Sequence, residues 1–207
     1  MIRALLLLFN PVGTWERVLE ARRGIVAILF ISLLPLLALT LAGECYGLVE
    51  WGKQRGEFGG VVQLAATALV PYVIAQLVLS LTAVFVGAFL VKAIGETFHG
   101  RHNYTQAFTV VAYGLGPLFL LRLLDALPRW PWWLSWVIGI LLAMSTLYTG
   151  IPHIMRPDPA HALGLYFMSA IVLVFITGFA AFLAHTILER QFVVSFNVPF
   201  GLMTVTG

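Results

Sequence analysis

The stretch GIVAILFISLLPLLALTLAG, Gly24 to Gly43, holds no charged residue, and its reading decides the fold. At about 1.5 Å per residue a helix of this length matches the roughly 30 Å hydrocarbon core of a bilayer. Pro35 lies inside it and predicts a mild kink, which membrane helices tolerate because neighbours can satisfy the freed carbonyl. Four more runs without Asp, Glu, Lys or Arg follow, at 61–91, 103–121, 133–151 and 162–188. Five such runs predict an all-α membrane protein, a five-helix transmembrane bundle, with spans near 24–43, 68–91, 104–123, 133–151 and 163–187.

Composition points the same way. The chain has 207 residues, 60% of them hydrophobic and 10% charged, with a mean hydropathy of +0.96. A soluble domain carries about 25% charged residues, so a soluble enzyme domain and a disordered segment are both excluded. The net charge of +3 then suits anionic lipid headgroups, and no nucleic-acid partner is expected. Cys45 is the single cysteine, which excludes an intrachain disulfide and any Cys-based zinc or iron–sulfur site.

Ahead of the first run, residues 1–23 predict an amphipathic interfacial segment rather than a cleaved signal peptide, because no small-residue cleavage pattern follows the short apolar stretch. Thr14 is the expected N-cap. Trp15, Val18 and Leu19 form an apolar face, with Glu16, Arg17, Glu20, Arg22 and Arg23 on the polar side.

The second run is too long for one span and is expected to bend into the membrane at Pro71. In the third, Gly114, Gly116 and Pro117 predict a break facing other helices, since a carbonyl freed in lipid needs a partner inside the protein. The fourth opens with RWPWWLSW. Trp130, Trp132, Trp133 and Trp136, with Trp15, are expected interfacial anchors, and a cage for a cationic ligand is the sharper alternative. This run is expected to end near Ile151-Pro152. The tail, 188–207, is expected to be extended or interfacial, because Pro199 and Gly201 count against a helix.

Of the 12 Lys and Arg, seven share the side of the N-terminus (Arg3, Arg17, Arg22, Arg23, Lys92, Arg101, Arg156). Lys53, Arg55, Arg122, Arg129 and Arg190 share the other, with Glu44, Glu50 and Glu57 read as an acidic loop there. The bias predicts the N-terminus inside and the C-terminus outside.

Glu96, His99, His102, His153, Asp158 and His161 fall on the inner side and are metal ligands by type. The HExxH spacing of a two-His zinc helix is missing, so a polar loop is the plainer reading and no metal or cofactor is expected. His185 lies close enough to Glu189 and Arg190 to reach the interface. Gln63, Thr67, Gln76 and Thr82 are expected to hydrogen-bond between helices. No span has Asp, Glu, Lys or Arg at its centre, which disfavours pumps and ion-coupled carriers. There is no P-loop, dinucleotide fingerprint or nucleophile–base pair.

The segment LYTGIPHIMRPDPAHALGLYF, Leu147 to Phe167, resembles the bacterial branch of the Yip (Ypt-interacting protein) family. Tyr148, Gly150, Pro152, Met155, Pro159, Gly164 and Tyr166 stand at that family's turn between its last two spans. FHGRHNYTQAFTVVAYGLGP, Phe98 to Pro117, is similar to its inner loop and third span, and Asn10-Pro11 to its N-terminal start. The resemblance implies five spans, an inner N-terminus, an outer C-terminus and a bacterial inner membrane. It does not carry over the vesicle-traffic role of eukaryotic relatives, because their Asp-Leu-Tyr-Gly-Pro motif is missing. The resulting expectation is a non-enzymatic protein that organises or scaffolds a partner as a small subunit of a membrane assembly. Its partners would be lipids and either other subunits or itself. The alternative is a transporter or channel subunit whose discontinuous helices line a path. A membrane enzyme using the inner His and acid residues as a metal site ranks third.

A reporter fused after Gly207 should be read outside, and one inserted at His99–Asn103 inside. The same side for both would overturn the five-span topology.

Overall fold

The computed structural model describes residues 11–21, 23–54, 60–98, 103–155, 157–158 and 160–197. Helix α1 is Pro11–Glu20. Five helices long and apolar enough to cross a membrane follow. The first is α2, Ile25–Glu50. A two-stranded hairpin comes next, β1 (Lys53–Gln54) paired antiparallel with β2 (Val61–Val62), with Lys53 opposite Val62. A 3-10 turn, Ala66–Leu69, leads into α3, Val70–Thr97. The third span is broken into α4 (Tyr104–Gly114), α5 (Gly116–Leu121) and a 3-10 turn at Arg122–Ala126. Helices α6 (Trp132–Met155) and α7 (Ala162–Asn197) complete the bundle.

The helix ends differ from the sequence expectation, each for a local reason. Helix α1 starts at Pro11, whose fixed φ suits a first helical turn, so Thr14 lies inside the helix and is no N-cap. Helix α2 continues seven residues past Gly43 because that glycine makes room for Leu123 and does not stop the chain. Pro35 acts one turn upstream: it cannot donate to the Ile31 carbonyl, and the helix widens into a π turn over Leu29–Leu33. Pro71 sits in the first turn of α3, directly after the 3-10 segment, where the helix type changes. Pro152 does not end α6, which runs on to Met155. The expected extended tail is helical through Asn197, because α7 has no breaker before Pro199.

The third span is the hub. Its apolar window is 67% buried, against 22–44% for the other four spans. Gly114, Gly116 and Pro117 are all buried. A Cβ on Gly114 would come within 2.5 Å of Leu147 on α6, and the Thr146 hydroxyl of α6 donates to the Gly114 carbonyl at 3.1 Å. Across the same level Ser32 of α2 shares a 3.0 Å hydrogen bond with Tyr113. Helices α3 and α7 pack along their length, and Gly87 leaves the space that Leu173 fills.

Trp15 is wholly buried and therefore not the interfacial anchor expected. Gly150 of α6 leaves a notch where the indole sits. Its Nε1–H donates to Thr149 at 3.2 Å, and Tyr113 meets it edge-on at 6.5 Å. The apolar face of α1 thus binds the bundle rather than lipid.

Gly150→Val should force Trp15 from its notch and destabilise the protein by about 1–3 kcal/mol. Leu141→Ala, at a lipid-facing position 65% exposed, should change stability by less than about 0.5 kcal/mol. Thermal unfolding of both variants in one detergent decides this, and equal losses would refute the notch.

Candidate functional site

The end of the bundle that carries the hairpin holds ionisable groups that the apolar runs had concealed. Glu44 lies on α2, two turns before its end, and its side chain is only 5% exposed. Arg122 opens the 3-10 turn that follows the broken third span, with 16% of its side chain exposed. Their Nη2 and Oε2 atoms are 3.0 Å apart. Tyr72, in the first turn of α3, donates its hydroxyl to the other Glu44 oxygen and accepts a 3.4 Å contact from Arg122. Three spans are therefore joined by one triad. A carboxyl group so deep is tolerated only when paired and hydrogen-bonded, and both conditions hold for Glu44.

The triad needs close backbone approach. Gly47, one turn from Glu44, lies against the Ala126 backbone, where any Cβ would collide with the Ala126 carbonyl. Gly43 accommodates Leu123 from the same turn. Gly52 supplies the positive φ of 70° that starts the hairpin, and β1 then reaches the 126–131 loop. There the Gln54 amide donates to the Pro128 carbonyl at 3.0 Å and the Lys53 ammonium to the Asp125 carbonyl at 3.0 Å.

Beside the triad, a chain of side chains fixes the start of α6. The Trp130 indole donates to Ser135 at 2.8 Å, and Ser135 donates to the buried Asp125 carboxylate at 2.6 Å. Trp132 stacks on His185 of α7 with ring centroids 4.9 Å apart. Trp136 packs over Gly178, and Trp133 is 53% exposed. The four tryptophans thus have four different tasks, and no two of them stack together as cage walls would.

These groups surround a cavity of about 60 Å³ between α2, α3, α5, α6 and α7, with Glu44, Tyr72, Gln76, Arg122, Asp125 and Trp136 in its wall. Two buried atoms there have no hydrogen-bond partner among the described residues, Oε1 of Gln76 and Nε1 of Trp136. Gln76 was expected to bond between helices. Its amide instead donates within α3, to Ser80 at 3.2 Å, leaving the oxygen over. A wider hollow of about 550 Å³ adjoins the cavity, sharing Lys53, Trp132, His185 and Leu188 with it, and carries Arg129, Trp130 and Trp133.

The weak metal candidates do not converge. Glu96 pairs with Lys92 at 3.3 Å. The His153 ring is held at 2.7 Å on the Thr149 carbonyl. Asp158 and His161 are 3.9 Å apart near the start of α7. His99 and His102 lie outside the described residues. Among the described residues no three His, Cys, Asp or Glu side chains are grouped to hold a metal.

Sequence reasoning missed Glu44, Tyr72, Arg122 and Asp125 because Glu44 and Arg122 fell at the edges of uncharged runs and were counted as loop charges. A signal existed. Glu44 is the only charge between Gly24 and Val49, and no turn residue pair surrounds it. An acid within such a pattern belongs to a helix and needs a partner.

Arg122→Leu should destabilise the protein by about 3–5 kcal/mol, because it strands the Glu44 carboxylate in the bundle. Adding Glu44→Leu should restore most of that loss. Chemical unfolding of the single and double variants measures the coupling, and additive losses would show that the pair does not act as a unit.

No curated protein and no solved structure matches the chain. The family model described as the Yip1 domain matches residues 5–182, which includes four whole spans and most of the fifth. The chain therefore belongs to the Yip1 domain family of integral, multi-pass membrane proteins.

Proposed function

We propose that this protein is a non-enzymatic organiser of its membrane surroundings, a small subunit that holds a partner, and that it turns over no substrate. Its N-terminus would lie inside and its C-terminus outside, in a bacterial inner membrane, as the Lys and Arg distribution and the family resemblance suggest. The observation that supports this most is that the hollows at the two ends of the bundle share no lining residue and have a packed layer between them. The polar cavity described above ends at Ser80, Ala83 and Thr177. At the α1 end a hollow of about 290 Å³ ends at Tyr113, Thr109 and Ile28. Between them Val84, Ala88, Val111, Leu115, Ala143 and Leu147 are at most 1% exposed and belong to one packed cluster. A bundle packed to that density conducts nothing without large rearrangement. It serves well as a rigid support.

The transporter reading keeps one argument in its favour. The third span is discontinuous at its centre, as in carriers whose broken helices frame a site. Here, however, the break is covered by Leu147 and Thr146 and lines neither hollow.

Native mass spectrometry of mildly solubilised membranes should find the chain in a defined complex, with itself or with another subunit. A bare monomer under those conditions would overturn the organiser reading. In proteoliposomes the purified protein should leave ion and solute leakage at the level of empty vesicles.

A further inference from the structure

We infer that the polar cavity and its outer hollow form a binding site for the headgroup of an anionic phospholipid ending in hydroxyl groups. The inference goes beyond the organiser role and stands whether or not a protein partner exists. The two unsatisfied atoms point to the occupant's chemistry. Gln76 is 95% buried by its 5% exposure, and its Oε1 needs a donor, while Nε1 of Trp136 needs an acceptor. A hydroxyl is both at once. An ammonium can only donate, and a trimethylammonium can do neither.

The space and charge fit the rest of such a molecule. About 60 Å³ is room for several waters or for the hydroxylated end of a headgroup. Inside, Arg122 is taken by Glu44 and the Asp125 carboxylate accepts from Ser135, so the guanidinium is not free for an anion and the inner end of the occupant should not be negative. The outer hollow is where a phosphate belongs, since its two cations, Lys53 and Arg129, outnumber its one carboxylate, Glu189. Lys53 uses one of three ammonium donors on the Asp125 carbonyl, and Arg129 is exposed at the same hollow. Trp132, packed on His185, stands where the two compartments meet. Trp130 and Trp133 beside it set the hollow at the headgroup level of the bilayer, where indoles concentrate. The lipid would keep its chains among the neighbouring acyl chains while its head reaches the cavity past Lys53, Trp132 and His185, which line both compartments.

The full-length protein in phosphatidylcholine nanodiscs doped with phosphatidylglycerol tests this. Native mass spectrometry should show the glycerol lipid retained on the protein about tenfold above its share, the value of one well-made buried hydrogen bond pair. Phosphatidylethanolamine should be intermediate. Gln76→Leu and Trp136→Phe should each lower the enrichment several-fold. Arg129→Gln, at an exposed position that leaves the fold intact, should weaken it too. Equal retention of the glycerol and choline lipids overturns the proposal. So does an enrichment that survives all three substitutions, for the two polar atoms are then met by water alone. Soluble glycerol phosphate provides the other arm. Thermal stabilisation by it in pure phosphatidylcholine discs, without any lipid enrichment, would assign the site to a free phosphate ester and refute the lipid.

Discussion

The buried contact between Glu44 and Arg122 governs how the first three spans meet. Two opposite charges in a low-dielectric bundle are tolerable only at hydrogen-bond distance, so the helices bearing them have little freedom to slide. That demand explains otherwise unrelated features. Gly43 and Gly47 flank Glu44 because α2 must approach the turn carrying Arg122 almost backbone to backbone. The third span cannot stay a regular helix to its end, because the 3-10 turn at Arg122–Ala126 aims Arg122 at α2 while Asp125 meets Ser135 of α6. Tyr72 closes the triad from the first turn of α3, which Pro71 helps to start. Each element depends on the pair being made.

Much of this fold was legible because lipid leaves few choices. Backbone groups in a bilayer must be satisfied within their own helix, so an uncharged run of about 20 residues can be little else. The break at Gly114–Pro117 was legible for the same reason. What the sequence did not reveal is where helices end, since end signals calibrated on water-soluble chains lose force here. Gly43 reads as a stop but is a packing notch for Leu123, and Pro152 reads as a stop but lies in the last turn of α6. Trp15 shows a deeper limit. An indole on an amphipathic segment looks the same in sequence whether it meets headgroups or a notch, and only the distant Gly150 decides.

The candidate site was less legible than the fold, and for a different reason. Arg122 and Asp125 are separated in sequence from their partners Glu44 and Ser135 by spans or turns, and no spacing rule links them. Gln76 was visible as a polar residue in a span, yet whether such an amide bonds to its own helix, to another or to nothing depends on three-dimensional placement. The tryptophan cluster was recognised as a unit but resolves into a hydrogen-bond donor, a stacking partner, an exposed ring and an indole with an unmet donor.

The two ends of the bundle therefore differ in kind. At the α1 end, Trp15, the Asn103–Gln106 capping pair and the ring of Phe98 over Gly164 satisfy backbone groups and pack beside a hollow whose wall carries one charged side chain, Arg23. At the hairpin end, charge is buried, two polar atoms are left over, and a hollow adjoins them. Burial of that polarity lowers stability unless something meets it, so a bundle selected for rigidity alone would have replaced Gln76 and Trp136 with apolar residues of similar size. An unmet donor and acceptor beside a buried ion pair is the pattern of a place that expects an occupant. The rigid third span between the ends then acts as a foundation: it fixes Arg122 and Asp125, and through them the wall of that cavity, against the mobility of the surrounding lipid.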